Sequence, residues 1–175
     1  MSYKTSIKPY QKTPKMLVKA PRLTIRQMAN KIPNETRLKS RIVGVEDVKK
    51  GRVPAALEGY TCYRLQTRNI ENSHQYRISI YSPTPKITLD TKVIIDSPVP
   101  AFVFKYEHAL AKRGNAFIYR SNGDPPVQTN PRLIPGFDHH SYRCLQYLIK
   151  NTTKNGLKEP DVTPERVRRT RRNAR

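Results

Sequence analysis

Tyr60-Thr61-Cys62-Tyr63-Arg64-Leu65-Gln66-Thr67-Arg68 and Gln75-Tyr76-Arg77-Ile78-Ser79-Ile80-Tyr81 read as the two strands of one antiparallel hairpin. Both are rich in β-branched and aromatic side chains, which suit a pleated and half-buried surface. In the second, Tyr76, Ile78 and Ile80 alternate with Arg77, Ser79 and Tyr81, a period of two that sends the two sets to opposite faces. Glu71-Asn72-Ser73 lies between the strands and supplies turn chemistry, because short polar side chains bond their own backbone.

The rest of the fold is read outward from this hairpin. Ser82-Pro83-Thr84-Pro85 is a connection, since proline has no N–H for a ladder. Ile87, Leu89, Val93 and Ile95 fall on one side of a period of two and predict a third strand. Val103, Tyr106 and Leu110 are three and four apart and predict a helix over Phe102 to Arg113. Lys112 and Arg113 suit the negative end of its dipole, and Gly114 is placed to close it. Ala116 to Arg120 reads as a short strand, followed by a loop from Gly123 to Gly136. Asp138 is then an N-cap for a helix whose apolar face is Tyr142, Leu145, Leu148 and Ile149, ending near Asn151. Upstream, Thr24 and Gln27 have the spacing of a capping box, and Ile25, Met28 and Ile32 form a short apolar stripe before Pro33. This order predicts an α+β fold: a small, mostly antiparallel sheet with two or three helices on one face, flanked by extended basic arms. The predicted division is a proline-spaced basic arm with a short helix at 1–40, a core domain at 41–151 and a disordered arginine-rich tail at 152–175.

Charge dominates the composition. The 175 residues hold 34 Lys+Arg against 13 Asp+Glu, a net charge of +21, although charged residues are only 27% of the chain. That share is close to the roughly 25% of ordinary domains, so the sign is skewed more than the amount. Such an excess needs a polyanion as counter-charge, which argues against a solitary small-molecule enzyme. Residues 1–31 carry eight basic side chains and no acid, and residues 151–175 carry eight basic and three acidic ones. The excess is therefore expected in the ends more than in the fold.

Lys4, Lys8, Lys12, Lys15, Lys19, Arg22 and Arg26 recur at steps of three and four, but Pro9, Pro14 and Pro21 forbid a continuous helix. An extended arm presenting a cation roughly every 9–12 Å is the better physical reading. At the other end, Arg166, Arg168, Arg169, Arg171, Arg172 and Arg175 crowd the last ten residues. Arginine suits phosphate because its planar fork binds two oxygens at once. These thirteen residues are the predicted nucleic-acid contacts. Tyr60, Tyr63, Tyr76, Tyr81, Tyr106 and Tyr119 are interleaved with Arg64, Arg68, Arg77 and Arg120, and they either stack bases on an open sheet face or fill a small core. The core role is favoured, because no RNA-recognition motif accompanies them.

Catalytic patterns are wanting. The chain has no phosphate-binding P-loop, dinucleotide glycine motif, HExxH or GxSxG. His140 and Cys144 are four apart on a predicted helix, yet a zinc site needs further ligands from afar. Pairing Cys144 with His74 or His108 as nucleophile and base carries little weight, because any chain with two cysteines and four histidines offers such pairs. The reading is thus of a non-enzymatic protein with neither metal nor cofactor. It is expected to be a structural protein that binds nucleic acid, RNA ahead of DNA, within a nucleoprotein particle. A viral nucleocapsid, coat or matrix protein, or a ribosome-associated protein, fits this description. The alternatives are a peripheral membrane matrix or scaffold protein held on anionic lipid by its basic arm, and an assembly linker between acidic proteins. Self-association or contacts with other particle proteins also fit. The absence of a secretory signal, of a span of roughly 20 apolar residues, and of paired cysteines predicts an intracellular chain, nuclear or cytoplasmic.

Overall fold

A computed structural model of the chain describes residue 15 and residues 19–158. The hairpin forms as its sequence predicts. Strand β2 (Thr61–Asn69) pairs antiparallel with β3 (Gln75–Ser82), placing Tyr63 opposite Ile80 and Leu65 opposite Ile78. Asn69 holds the turn: its Oδ1 accepts from Glu71 N at 2.9 Å and from Asn72 N at 3.3 Å, while Ser73 takes a left-handed φ of 60°. Strand β1 (Val43–Lys50) flanks β2 and β4 (Ile94–Asp96) flanks β3, completing a four-stranded antiparallel sheet in chain order.

One face of the sheet carries the main core. Tyr63, Leu65, Ile78, Ile80 and Ile95 meet Ile25 and Met28 of α1 (Ile25–Ala29), Leu110 of α3 (Glu107–Ala111), and Cys144, Leu145 and Leu148 of α4 (His139–Asn151). The short helix α2 (Asn34–Lys39) leads from α1 towards β1. The fold is thus α+β, with the helices gathered on one face of an antiparallel sheet. On the other face Cys62, Tyr81 and Ile94 lie under Leu57 and Phe117 in a second, smaller core. Both helix starts follow the sequence: Thr24 and Gln27 form a full capping box, and Asp138 accepts from the backbone of His140 and Ser141.

Other elements depart from expectation, each for a local reason. The third predicted strand survives only at Ile94–Asp96, because Thr88 and Thr91 close a turn, with Thr88 N donating to Thr91 Oγ1 at 2.9 Å. The exposed Leu89 then offers its carbonyl to Arg26 N at 2.8 Å instead of to a ladder. The helix predicted from Phe102 begins there, but its first five residues, Phe102–Tyr106, form a wide π turn before α3. The carbonyls of Phe104 and Lys105 accept from Thr129 Oγ1 and Asn130 Nδ2 at 2.5 and 2.9 Å, so loop side chains satisfy what the wide turn loosens. Ala116 to Arg120 makes two isolated bridges rather than a strand, Ala116 beside Ile95 and Ile118 beside Lys15. Strand β1 was not predicted, because the register shifts between Val45 and Asp47 and breaks the alternation of Val43, Val45 and Val48.

The boundaries of the body also move outward. Residues 19–40 do not stand apart as an arm, since Ile25, Met28, Ala29 and Ile32 belong to the main core. Residues 152–158 fold back as a small hairpin, β5 (Thr152–Thr153) with β6 (Gly156–Leu157), and Leu157 packs on that core. One body therefore spans residues 19–158 rather than 41–151. Gly114 is needed for its junction with residue 20: its φ is +72°, and a Cβ there would lie 2.2 Å from Ala20 O.

Candidate nucleic-acid interface

Of the predicted contacts, Lys4, Lys8, Lys12, Arg166, Arg168, Arg169, Arg171, Arg172 and Arg175 lie outside the described residues. Lys15, Lys19, Arg22 and Arg26 are described, and all four are exposed. Lys15 pairs with Ile118 through two backbone hydrogen bonds, at 3.2 and 2.9 Å. Lys15 is thus bridged to Ile118 of the body. Redrawing the boundaries changes the charge balance as well. Residues 19–158 hold 24 basic side chains against ten acidic ones, so the body carries +14 of the +21. The excess is mainly a property of the folded body, contrary to the expectation that the ends hold most of it.

Asn115 brings the first group of cations together. Its fully buried carboxamide accepts from Leu23 N at 3.1 Å and donates to Leu23 O and Val93 O, both at 2.9 Å. It thereby clamps three segments that are 22 to 92 residues apart in sequence. A basic residue stands immediately before two of its partners, Arg22 before Leu23 and Lys92 before Val93, and Lys112 and Arg113 precede Asn115 itself. Arg22 N also donates to Arg113 O at 2.9 Å. Arg113 is partly engaged, since its Nη1 donates to Ala109 O at 2.7 Å at the end of α3. Nearby, Arg26 pairs with Asp90 at 3.0 Å, and this is the one carboxylate within 4 Å of these cations among the described residues. Lys92, Lys112 and Arg113 were not among the predicted contacts. No linear signal marks them, because their neighbours come from distant parts of the chain.

The sheet separates Tyr63 and Tyr76 from the arginines that follow them, whereas Tyr81 shares the face of Arg64 and Arg77. Adjacent strand residues point to opposite faces, so Tyr63 and Tyr76 join the core side while Arg64 and Arg77 face outward. Tyr63 Oη donates to Pro85 O at 2.6 Å, the Tyr76 ring meets His140 edge-on at 4.9 Å, and Tyr81 meets Phe117 edge-on at 5.7 Å. These rings serve the core. Arg120 keeps a tyrosine, lying 4.9 Å over the Tyr119 ring while pairing with Asp96 at 3.3 Å, and Arg37 lies 5.7 Å over the Tyr142 ring. The outward sheet face is partly self-neutralised, with Arg68 on Glu46 and Lys49 on Asp47. Burial pushes the Asp96 carboxyl up even with Arg120 beside it.

The groups suited to chemistry are tied into the fold. Cys144 is fully buried and its thiol is pushed well above the ordinary range by burial; Cys62 is pushed up for the same reason. Asp138 is buried as the α4 cap and accepts from Ser141 Oγ at 2.6 Å; loss of water drives its carboxyl up. Glu107 is buried too, and clasps the Arg120–Ser121 backbone by accepting from Ser121 N at 3.1 Å and from Ser121 Oγ at 2.6 Å. Among the described residues no three His, Cys, Asp or Glu side chains assemble as a metal site, and no helix is long and apolar enough to cross a membrane.

No family model matches the chain, and no curated protein or solved structure matches it.

Proposed function

We propose that this chain is a non-enzymatic structural protein that binds nucleic acid, RNA ahead of DNA, within a nucleoprotein particle in the nucleus or cytoplasm, or within a virion. The observation that carries this reading is the +14 of the folded body, to which Arg22, Lys92, Lys112 and Arg113 contribute on the segments that the Asn115 clamp joins. A surface of that sign prefers a phosphate backbone, and both basic ends of the sequence extend it. Phosphate contacts of this kind position a protein without reading bases. The binding is therefore expected to be steeply salt-dependent and weakly selective for sequence.

The test compares the full chain with a variant in which Arg166, Arg168, Arg169, Arg171, Arg172 and Arg175 are all glutamine, titrated against labelled RNA and duplex DNA across a salt series. If about five of these arginines each neutralise a phosphate, they contribute about 4.5 to the salt slope on duplex DNA, or about 500-fold in affinity between 50 and 200 mM salt, and about 3.5 on single-stranded RNA. Loss of that increment supports the reading. Equal slopes for the two chains would remove the role given to the C-terminal arginines.

A further inference from the structure

A second group of cations meets at the opposite end of the chain, around the β5–β6 hairpin, and none of its members was predicted. Thr152 anchors the hairpin: its Oγ1 donates to Leu148 O at 2.6 Å and accepts from Ile87 N at 2.9 Å. This sets Lys86 beside the hairpin, next to Pro85, whose carbonyl accepts from Tyr63 Oη. A Cβ built on Gly156 would lie 3.7 Å from that same Tyr63 Oη and 3.8 Å from Lys50 Cε, so the end of β1 reaches the same spot. Lys154 occupies the hairpin turn, and Lys158 returns to the end of α4, its N donating to Asn151 O at 2.8 Å and its Nζ to Lys150 O at 2.7 Å.

Lys50, Lys86, Lys150, Lys154 and Lys158 thus converge from four separate segments, and all five are exposed. Among the described residues none of them has a carboxylate within 4 Å. Glu159, next in the sequence, lies outside the described residues. Unlike Arg68 and Lys49 of the outer sheet face, these cations have no carboxylate partner among the described residues. Their scaffold is fixed by buried hydrogen bonds, so the charge is held in place before a partner arrives.

We infer that this lysine surface is a docking site for a nucleic-acid phosphate backbone, continuous with the arginine-rich end of the chain. The inference rests on the nucleic-acid reading above and names a second place where that partner is held. Chain length supports the continuity. Seven residues separate Lys158 from Arg166, so the eight steps between them reach at most about 28 Å, and the arginines can follow the same strand of phosphates that the lysines engage. Lysine here acts as a point charge on phosphate and adds no base recognition.

The test uses the full chain carrying Lys50→Gln, Lys86→Gln and Lys154→Gln. Lys158 is left intact because its Nζ donates to the Lys150 carbonyl, and Lys150 is left intact with it. A control chain carries Lys31→Gln, Arg77→Gln and Arg132→Gln, which removes the same charge from other exposed positions. Each is titrated against single-stranded RNA and against vesicles containing phosphatidylserine over a salt series, with urea midpoints confirming that both chains fold. The lysine variant is expected to lower the RNA salt slope by about 2, at about 0.7 per phosphate contact, while the control lowers it by less than about 1. Equal losses in the two variants overturn a localised site in favour of diffuse attraction. An unchanged slope in the lysine variant, with wild-type binding intact, overturns this surface alone. Loss of vesicle binding without loss of RNA binding overturns the choice of partner. If the wild-type chain binds no RNA at all, the nucleic-acid reading itself falls.

Discussion

Replacing His140 with asparagine tests how α4 is seated on the sheet. The His140 side chain is 2% exposed, with its Nδ1 2.9 Å from Thr67 Oγ1 and its ring edge-on to Tyr76. Thr67 Oγ1 already donates to Tyr76 O, so Nδ1–H is the donor in the histidine contact. Burial, with smaller contributions from the neighbouring His139 and His74, pushes its pKa down from 6.5 to about 4. Above the unfolded value both states are neutral and the stabilisation is complete. As pH falls from about 6.5 towards 4, the unfolded chain takes up a proton that the folded chain refuses, and stability is lost. A displacement of about 2.5 pH units, at about 1.4 kcal/mol per unit, makes that loss about 3 kcal/mol. His139, also pushed down by burial, adds in the same direction, whereas the raised carboxyls of Asp138 and Asp96 oppose it. Comparing wild type with His140→Asn isolates the one group, because the amide still donates to Thr67 but does not titrate. Urea unfolding is followed by tyrosine fluorescence, since the chain has ten tyrosines and no tryptophan. Between pH 7 and 4.5 the wild type should lose more stability than the variant, the gap widening steadily below pH 6.5. Parallel curves would show that His140 titrates normally in the folded state, and the argument from burial would be wrong.

Two further outcomes follow from the clamp and the cysteines. Asn115→Ala strands Leu23 N, Leu23 O and Val93 O, and should cost about 3 kcal/mol, with amide exchange at Leu23 accelerating by more than the global loss requires. Exchange at Leu23 that slows or stays unchanged would mean the clamp does not hold this segment. Cys62 and Cys144, both buried with raised thiols, should label only after unfolding when an aromatic disulfide is added at pH 8. Rapid labelling of the folded chain would reopen the question of a reactive cysteine.

The elements legible in the sequence are those whose stabilising contacts are local. Thr24 and Gln27 cap α1, Asp138 caps α4, and the alternation of Tyr76, Ile78 and Ile80 against Arg77, Ser79 and Tyr81 survives in β3. Strand β1 was hidden because its bulge disrupts the alternation that would have announced it. The wide turn at Phe102–Tyr106 was hidden because the groups that stabilise it, Thr129 and Asn130, lie about 25 residues away.

Within the candidate interface the same distinction applies. Composition and local pattern were enough for the size and sign of the charge excess, the α+β class, and the thirteen basic residues near the ends. Only the tertiary structure decided which cations share a surface. Lys92, Lys112 and Arg113 lie on segments that Asn115 ties to that of Arg22, Lys86 is set beside the hairpin of Lys154 because Thr152 binds Ile87, and Lys50 reaches the same hairpin at Gly156. Charge is additive along a chain, so composition reports its total. The potential that a phosphate backbone meets depends on distance, and distances between remote residues are set by the buried hydrogen bonds and apolar packing that close the fold.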